Sequence, residues 1–524
     1  MDLFSLYKGR KNTQDPIPEP EKIPLKFSLS ENISDIKKTL GEANDLIIRQ
    51  IKVLAGHEID VAVLGIDGLI DGQTAQEFVL HILAIDMSVF PMSSSENQTV
   101  FNTIYNSRIS MMSASINDDV NKLYSSLLTG QIIVLIDGVL QFMLFDCKGW
   151  QMRGISEPNV EKSLRGPKDS FVETIRVNTA LLRRRIKDPN LRFDAHVVGR
   201  RTKTDVFVTY IEGLTNPKFV QMANERIRGI DIDSLMNSSE LVPYVEDKHH
   251  TVFPRLIESE RPDKVAAALL QGQVAIFVDG SPFALLGPFF FTAAFQSIDD
   301  YYNHPLFATF KRIMRSFAYF MIIFVPGFYV AASTYHQEMI PTTLLITVMN
   351  QRSSNPFSTF VEILIILILF EILREASLRK PDVIGDSMTL AASLIVGQTL
   401  VEVGLISYAA IIVGSLTTIA SFVVSSTKIN ISARIFTIIF MVIGSEFGLY
   451  GLTLGYIMFI THLCSLTTFG EPYLAPLAPF NLSDQKDQFV IMSTSWMKFR
   501  PKIFKPVNRT RHNLPNLNEE DNLR

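Results

Sequence analysis

The sequence predicts a soluble α/β N-terminal domain, built from two copies of one module, followed by a polytopic α-helical membrane domain. Charged residues recur every few positions as far as about residue 280, whereas residues 388–424 contain only one, Glu402. A run of this length exceeds the roughly 20 residues that cross a hydrocarbon core. The second observation is an internal repeat in the first half of the chain, which predicts the duplication.

The composition excludes several classes of protein. The chain has 524 residues, of which 47% are hydrophobic and 19% charged, and its formal net charge is −4. This near balance gives no overall field for nucleic acid, and the apolar run excludes a wholly soluble enzyme. Two cysteines, Cys147 and Cys464, provide no framework of disulfides or zinc ligands. Residues 1–27 are rich in proline and lack the apolar core of a signal peptide, which predicts a disordered lead-in.

Two ordered matches define the repeat. Residues 60–69 match residues 205–214 at an offset of 145, and residues 127–138 match residues 269–280 at an offset of 142. A weaker match precedes them, between residues 43–51 and 178–186. The expected modules cover residues 28–155 and 156–281.

Each module has the same predicted elements. A helical pattern over residues 36–51 or 171–186 leads into a β-branched strand, and helical segments separate it from a second strand. We expect that second strand at residues 132–136 and 274–278.

The polar motifs of the soluble half favour structural roles. The pairs Asp137-Gly138 and Asp279-Gly280 follow strands, where tight turns are commoner than metal or phosphate sites. The basic runs 183–185 and 200–203 contain no interleaved aromatic residues, so a solvated face or an inter-domain contact is favoured over nucleic acid or anionic lipid.

Motifs that carry catalysis are absent from the sequence. It contains no G-x-S-x-G, Walker A, H-E-x-x-H or G-x-G-x-x-G pattern. His249 and His250 are adjacent, so their side chains diverge and an exposed polar patch is favoured over a metal site. We therefore expect no enzymatic activity, no metal and no cofactor.

Several apolar stretches predict the membrane domain, which we expect over residues 282–467. Residues 282–296 are Phe-rich but short, which favours a re-entrant or interfacial segment. The segment 435–464 is either one tilted span or two short ones. The clear spans are residues 316–334, 357–373 and 383–424, the last divided in two near residues 404–407.

Basic residues next to the spans predict orientation. They place the start of the first span and the end of the second in the cytoplasm, and the soluble domain with them if residues 282–296 do not cross. The tail, residues 468–524, is also basic and is expected to be cytoplasmic and disordered. Five spans would put the tail outside, so either residues 435–464 cross twice or residues 282–296 cross after all. The basic residues next to the spans are Lys311, Arg312, Arg315, Arg374, Arg379 and Lys380.

Inserting a carboxylate at the centre of a transmembrane helix is unfavourable by about 2.5–3.5 kcal/mol, so each such residue calls for a structural or functional explanation. The candidates are Glu362, Glu402 and Glu446. For Glu362 and Glu402, a hydrogen-bonded or protonated carboxyl in helix packing and a role in an ion path have equal weight. Glu371 is accounted for by its spacing from Arg374, three residues later.

The chain strongly resembles the A subunit of bacterial spore germinant receptors, the GerA family, over about residues 28–467. Three segments that carry the resemblance are residues 171–186, 299–302 and 418–422. Four others are Glu260-Arg-Pro-Asp-Lys-Val-Ala-Ala-Ala-Leu269, Pro326-Gly-Phe-Tyr-Val-Ala331, His336-Gln-Glu-Met-Ile-Pro341 and Phe370-Glu-Ile-Leu-Arg-Glu-Ala376, and the first segment ends with Arg183-Arg-Arg-Ile186. The motif residues to which the resemblance gives structural roles are Arg261, Pro262, Asp263, Pro326, Glu338, Pro341, Arg374 and Glu375.

The resemblance implies a multi-pass protein of the spore's inner membrane with a cytoplasmic N-terminal domain. It also implies two partners, a transporter-like B subunit and a lipoprotein C subunit, and a homo-oligomer that forms a nutrient-gated ion channel. On this hypothesis, Gln398 and Glu402 lie near the conduction path. The alternatives are a non-conducting scaffold or transporter component, and a soluble domain that senses a small molecule.

Overall fold

Two five-stranded sheets with the same strand order form the core of the soluble half. The structure is a computed structural model, and it describes residues 22–511 except 42, 55–57, 85–95, 107–113, 148, 150–157, 159, 162, 164, 249, 353–354, 379–397, 401, 425 and 494–496. The sheet orders are β1-β2-β4-β5-β3 and β6-β7-β9-β10-β8. Equivalent strands occupy equivalent positions, which confirms the duplication.

The strands are β1 (Leu46–Leu54), β2 (Glu58–Ile66), β3 (Ala114–Asn117), β4 (Gln131–Ile136), β5 (Phe142–Asp146), β6 (Leu191–Val198), β7 (Thr204–Ile211), β8 (Ile257–Ser259), β9 (Val274–Val278), β10 (Ala284–Gly287), β11 (Thr467–Thr468) and β12 (Glu471–Pro472). The helices are α1 (Leu29–Leu40), α2 (Gly72–Ala84), α3 (Glu96–Asn106), α4 (Val120–Leu127), α5 (Ile175–Arg185), α6 (Pro217–Arg228), α7 (Ser238–Val245), α8 (Pro262–Gln271), α9 (Pro305–Tyr335), α10 (Thr342–Arg352), α11 (Thr359–Leu378), α12 (Tyr408–Val423) and α13 (Thr427–Ser465).

The chain divides into two compact units. The first contains Met1–Ile155 and Phe171–Ala195, and the second contains Ser156–Ser170 and His196–Arg524. Helix α5, which leads the second copy of the repeat, therefore belongs to the first unit. This division differs from the module boundary predicted at residues 155 and 156, because residues 171–195 join the first unit.

One pair of asparagines marks the repeat in side-chain detail. The Asn32 amide donates from Nδ2 to the Lys26 carbonyl (2.7 Å) and accepts at Oδ1 from the Lys26 amide (3.0 Å). Asn178 makes the same two bonds with Val172, at 2.6 and 2.9 Å. Helix α1 therefore corresponds to α5, and the weak match of residues 43–51 with 178–186 is wrong.

The first sheet is buried on both faces. Its pairs are antiparallel throughout, including β1 with β2 and β2 with β4. Because side chains alternate along a strand, Val61 and Val63 pack with α2 and α3, whereas Leu64 and Ile66 pack with α1 and α4. The unit is thus a helix–sheet–helix sandwich. The helix expected over residues 36–51 ends at Leu40, and Leu46–Leu54 is strand β1.

The second sheet has a similar core. Strands β7 and β9 are antiparallel, as are β9 with β10 and β10 with β8. Buried side chains of β7 and β9 pack against α6 and α7. The strands predicted at residues 132–136 and 274–278 are confirmed as β4 and β9.

Strand β10 corrects one expectation about the membrane. Ala284–Gly287 is fully buried in the second sheet, and Phe291–Phe295 forms a short 3-10 helix with four buried residues. The segment 282–296 is therefore part of the soluble fold and not a re-entrant or interfacial segment. Its length and Phe content fitted both possibilities.

The Asp-Gly pairs form turns, as predicted. Gly138 and Gly280 have φ of 76° and 83°, in the left-handed region that glycine adopts most easily. In the first unit, Arg183 differs from the expected solvated helix face. It is fully buried, its Nε lies 2.8 Å from Asp45 Oδ2, and its guanidinium lies over the Phe193 ring, whereas Arg184 and Arg185 are exposed.

Helix α13 doubles back within the second unit. At Gly448 the backbone has φ 59° and ψ −149°, which is not helical. The Phe436 and Phe459 rings are 4.8 Å apart between centroids, and Phe459 also lies 6.0 Å from Phe440. The segment 435–464, predicted as one span or two, is therefore a hairpin of two antiparallel helical arms.

The C-terminal segment is ordered against the second module over residues 468–493 and 497–511, so the disordered tail expected there is wrong for these residues. Tyr473 is fully buried, and its carbonyl accepts from the Phe291 amide at 3.0 Å. Phe504 is buried against Phe290. Residues 1–21 and 512–524 lie outside the described residues. Of the disordered lead-in expected over residues 1–27, residues 22–27 are described, and Leu25 is buried.

Candidate functional site

A buried ion network joins the start of α9 to the C-terminal segment. We call it the α9 network, and it consists of Asp300, Tyr301, Arg312, Arg315 and Asp487. Arg312 is fully buried and donates from Nε to Asp300 Oδ2 and from Nη1 to Asp487 Oδ1, each at 3.0 Å. The network therefore connects three stretches of chain within the second unit.

The remaining contacts complete the α9 network. Arg315 donates from Nη1 to Asp300 Oδ2 at 2.8 Å and from Nη2 to Asp300 Oδ1 at 3.0 Å. The Tyr301 hydroxyl donates to the Asp487 carboxylate, at 2.8 Å to the nearer oxygen, and the Arg312 guanidinium lies over the Tyr301 ring. Charge-assisted bonds of this kind are stronger than neutral ones, so the network fixes the first turns of α9.

The pKa values of Asp300 and Tyr301 are shifted in opposite directions. Burial alone would raise the pKa of the Asp300 carboxyl, but bonds from Arg315, the Ser297 amide and Arg312 hold that pKa below its usual range. Burial and the nearby Asp487 charge raise the pKa of the Tyr301 hydroxyl. Asp300 is therefore ionised and Tyr301 neutral near pH 7. Arg312 and Arg315, expected to mark orientation, are thus also structural ion-pair residues.

A second polar cluster contains three of the motif residues. Pro262 begins α8, and Arg261 donates from Nε and Nη2 to both oxygens of Asp263, at 3.0 and 2.7 Å. The Tyr302 hydroxyl donates to the same carboxylate at 2.8 Å, and Arg261 Nη1 lies 3.7 Å from Asp299. These residues connect α8 to the short helix that precedes α9.

Pro326 lies inside α9, next to a close crossing with α13. A Cβ on Gly327 would lie 2.9 Å from the Phe440 carbonyl oxygen, and one on Gly444 would lie 2.7 Å from the Gly327 oxygen. Because small residues let two backbones approach closely, this crossing requires glycine on both helices.

Glu362 has a local structural account. It is fully buried, and its Oε2 accepts from the Ser407 hydroxyl at 2.6 Å and the Ser407 amide at 3.2 Å. Asn355 donates to Oε1 at 3.1 Å. Ser407 is the N-cap of α12, so the carboxyl lies beside a helix N-terminus, where negative charge is favoured. Of the two equally weighted possibilities, this geometry favours helix packing.

The other three ion-path candidates are exposed, unlike Glu362. Gln398 and Glu402 lie on helical backbone before α12, beside Val403, which is 66% exposed. Glu446 lies at the turn of the α13 hairpin, where its carbonyl accepts from the Tyr335 hydroxyl. Glu362 is thus buried in a polar cluster, whereas the other three candidates lie on exposed surface.

The remaining motif residues lie at helix ends. Glu338 is exposed in a 3-10 turn after α9, and Pro341 is exposed just before α10. Arg374 lies near the end of α11 and donates from Nη2 to Ser421 Oγ at 2.9 Å, and the neighbouring Glu375 is exposed.

The sequence did not single out three residues that make polar contacts in the structure, namely Asp487, Asn430 and Arg434. Asp487 follows its partner by 175 positions, so no local pattern could reveal the pair. The other two interrupt apolar runs, which was the one available signal. Among the described residues, no group of His, Cys, Asp and Glu could hold a metal ion, while His249 lies outside that part of the chain.

Comparison with known proteins identifies the family. The model of the Bacillus/Clostridium GerA spore germination protein family matches residues 34–503. The chain belongs to the GerA family. Its GerA relative spore germination protein KA of Bacillus subtilis (strain 168) is 38% identical over 498 residues, covering 93% of this chain and 90% of the relative. The match confirms the resemblance drawn from the motifs.

Two further proteins are similar to this GerA chain. The uncharacterized membrane protein YfkQ of Bacillus subtilis (strain 168) is 35% identical over 485 residues, 93% of each chain. The solved N-terminal domain of the A subunit of the Bacillus megaterium spore germinant receptor GerK3 is 34% identical. It covers 51% of this chain and 98% of that domain, with a TM-score of 0.41.

Within the part of this GerA chain that the structure describes, α9 and the helical segment of the α13 hairpin are long and apolar enough to cross a membrane. Helix α12 is shorter but also apolar. Many large apolar side chains on these helices are exposed, among them Phe317, Ile412, Ile419, Ile457 and Met458. In water such a surface would be costly, whereas lipid accommodates it.

Proposed function

We propose that this chain is the membrane-embedded A subunit of a spore germinant receptor, which oligomerises into a nutrient-gated ion channel. It would act with a transporter-like B subunit and a lipoprotein C subunit in the inner membrane of the spore. Membership of the GerA family supports the germination role, and the exposed apolar helix faces support insertion in the membrane.

The two ends of the α13 hairpin support a specific topology. Lys428, at its start, lies 2.9 Å from Glu258 of the second module. His462, near its end, is hydrogen-bonded to Thr251 of the same module at 3.0 Å. Both ends therefore lie on the side of the soluble modules, which are cytoplasmic under the positive-inside rule. A hairpin that crosses twice would give six spans, which supports a cytoplasmic C-terminal tail.

One observation carries the channel part of the proposal: the exposure of Glu402. If position 402 lies within the membrane, a carboxylate exposed beside Val403 faces lipid in a lone subunit, which costs about 2.5–3.5 kcal/mol at a helix centre. A ring of subunits around a water-filled lumen removes that cost, since Glu402 and Gln398 then line the lumen. Nutrient binding in a partner would open the ring if the bound partner prefers the open arrangement.

The test compares spores that carry Glu402→Gln or Glu402→Ala with wild-type spores. We expect slower potassium release after nutrient addition at normal receptor levels. Glu77→Gln is the control, because Glu77 is an exposed carboxylate on α2 of the first unit. Normal release and germination in both Glu402 variants would overturn the pore role and favour a non-conducting scaffold or transporter component.

A cavity in the first unit favours sensing of a small molecule as a second candidate function. It has a volume of about 810 Å³ and lies between β1, β2, α2 and α5, with Arg49, Arg176 and Arg184 in its lining. Its size suits a small ligand. Titration of the full chain with nutrients tests this function, and saturable binding lost in Arg49→Gln would transfer recognition from the partner to this domain.

A further inference from the structure

A second cavity, of about 760 Å³, lies between the ends of α11, α12 and α13. We call its polar end the arginine pocket, and it consists of Glu371, Arg374, Ser421, Asn430 and Arg434. Arg374 Nη1 lies 3.4 Å from Glu371 Oε2, and Arg434 donates from Nη1 to the same carboxylate. The Asn430 amide donates from Nδ2 to the Ser421 carbonyl at 2.6 Å.

Four buried polar atoms of the arginine pocket have no hydrogen-bond partner. They are Nε and Nη1 of Arg374, Nε of Arg434 and Oδ1 of Asn430. Asn430 is only 8% exposed, so bulk water does not readily satisfy its oxygen. A buried donor or acceptor without a partner is costly. The pocket thus offers three donors on two guanidinium groups and one acceptor beside them.

The carboxylates of the pocket make no hydrogen bond with these donors, and their nearest contact is the 3.4 Å ion pair between Glu371 Oε2 and Arg374 Nη1. Glu371 is half exposed, and Glu375, which also lines the cavity, is exposed. Their charges are therefore screened by solvent, while the unpartnered guanidinium nitrogens are buried. Planar guanidinium groups match phosphate oxygens well, so the complementary ligand is a phosphate-bearing group.

The rest of the cavity is apolar. Its wall includes Ile368, Ile435 and Ile438, which are 48%, 39% and 45% exposed. Leu364 and Leu367 extend this wall along α11. A phosphate site that opens onto an exposed aliphatic surface fits a molecule with an anionic head and a hydrocarbon chain.

The arginine pocket lies on the side of the soluble modules. Its α13 residues follow Lys428, which pairs with Glu258 of the second module. In the topology of the proposed function, on which this step rests, that side is the cytoplasmic surface of the membrane. Basic pockets between helices at this surface bind anionic lipid head groups.

We propose that the arginine pocket binds one anionic phospholipid. Arg374 and Arg434 hold its phosphate, a head-group hydroxyl donates to Asn430 Oδ1, and an acyl chain packs along Ile368 and Ile435. The lipid adds to the polar contacts that already join the ends of the three helices, and so it stabilises their arrangement.

The test is native mass spectrometry of the full chain purified in detergent and titrated with phosphatidylglycerol, phosphatidylcholine or glycerol 3-phosphate. We expect one saturable phosphatidylglycerol adduct, roughly tenfold weaker in Arg434→Gln and in Arg374→Gln, because each loses a charge-assisted bond. Arg434→Lys keeps the charge without the planar fork and should give intermediate binding. Arg509→Gln is the matched control, since this exposed arginine lies outside the pocket.

Several results would overturn the proposal. Equal binding of phosphatidylcholine, unchanged binding in the two pocket variants, or an equal loss in Arg509→Gln would each show that the pocket does not select the lipid. Equally tight binding of glycerol 3-phosphate would indicate a soluble anion site. A dimer that depends on Arg434 and excludes lipid would make a second copy the occupant. The measurement requires neither conduction nor a membrane, so it is independent of the outcome for the proposed function.

Discussion

The aromatic rings of Phe436 and Phe459 lie 4.8 Å apart between centroids, although the two residues are 23 positions apart in one helical segment. A straight helix would separate them by about 34 Å, at 1.5 Å per residue. The chain therefore reverses between them, and Gly448 is where the backbone leaves the helical region. The reversal returns the C-terminal segment to the soluble module.

Replacing Gly448 by alanine should destabilise the hairpin. Its φ of 59° with ψ of −149° lies in a region that only glycine adopts readily, and a Cβ would lie 3.0 Å from the His336 ring. We expect a loss of about 1–3 kcal/mol in the free energy of unfolding, measured by thermal denaturation in detergent. Gly72→Ala, where the added Cβ meets open space, should have little effect. Equal melting temperatures for the two variants would contradict the assigned turn.

Removing Arg312 from the α9 network should lower the free energy of unfolding more than Gly448→Ala does. Arg312 is fully buried, so Arg312→Gln leaves the charges of Asp300 and Asp487 without their shared partner. We expect a loss of roughly 3–5 kcal/mol, or failure to accumulate folded protein. In Asp487→Asn, Arg312 keeps its ion pair with Asp300, so the loss in the free energy of unfolding should be smaller than in Arg312→Gln. Arg201→Gln removes an exposed pair with Asp233 and should leave the melting temperature unchanged.

The stability of the chain should fall at acid pH, partly through Asp300. The pKa of this carboxyl is lower in the folded state than its ordinary value near 3.8. The unfolded state therefore binds more protons around that pH, so the stabilisation is complete above about pH 4 and is lost as pH falls through the folded-state pKa. Asp300→Asn should flatten the melting-temperature profile below about pH 4. An unchanged acid slope would show that Asp300 contributes nothing to it.

Glu362 should matter for folding more than for conduction. Glu362→Ala removes the acceptor for the Ser407 amide and hydroxyl and should lower the amount of receptor in the membrane. Glu362→Gln retains an oxygen acceptor and should restore most of it. Potassium release per receptor, measured in spores of both variants, should then be nearly normal. A strong defect in release with normal receptor levels in Glu362→Gln would return this carboxyl to the ion path.

The sequence predicted those parts of the fold that depend on local pattern. The repeat located strands β2, β4, β7 and β9, because their β-branched runs are short and bounded by Asp-Gly or Glu-Gly turns. It missed β1, since its apolar and charged residues fit a helical period as well as a strand. It also missed β10, whose apolar residues are buried in a sheet instead of lipid.

The site was harder to predict because its contacts join distant segments. Basic residues before α9 correctly marked a helix end, but no local signal shows that Arg312 is paired with Asp487. Likewise, the hairpin in α13 depends on one glycine, with no proline or charged loop to reveal it. The apolar content of that segment was clear, whereas its reversal required the contacts of Phe459.

The six-span topology is tested most directly by determining on which side of the membrane three positions lie. Single cysteines would replace Met236 in the soluble module, Val507 in the C-terminal segment and Tyr450 next to the hairpin turn, all exposed, in a Cys464→Ser background. With a membrane-impermeant maleimide and intact cells, we expect labelling at position 450 only, and labelling at 236 and 507 after permeabilisation. Labelling of position 507 in intact cells, with 236 protected, would contradict the hairpin crossing and the six-span channel subunit built on it.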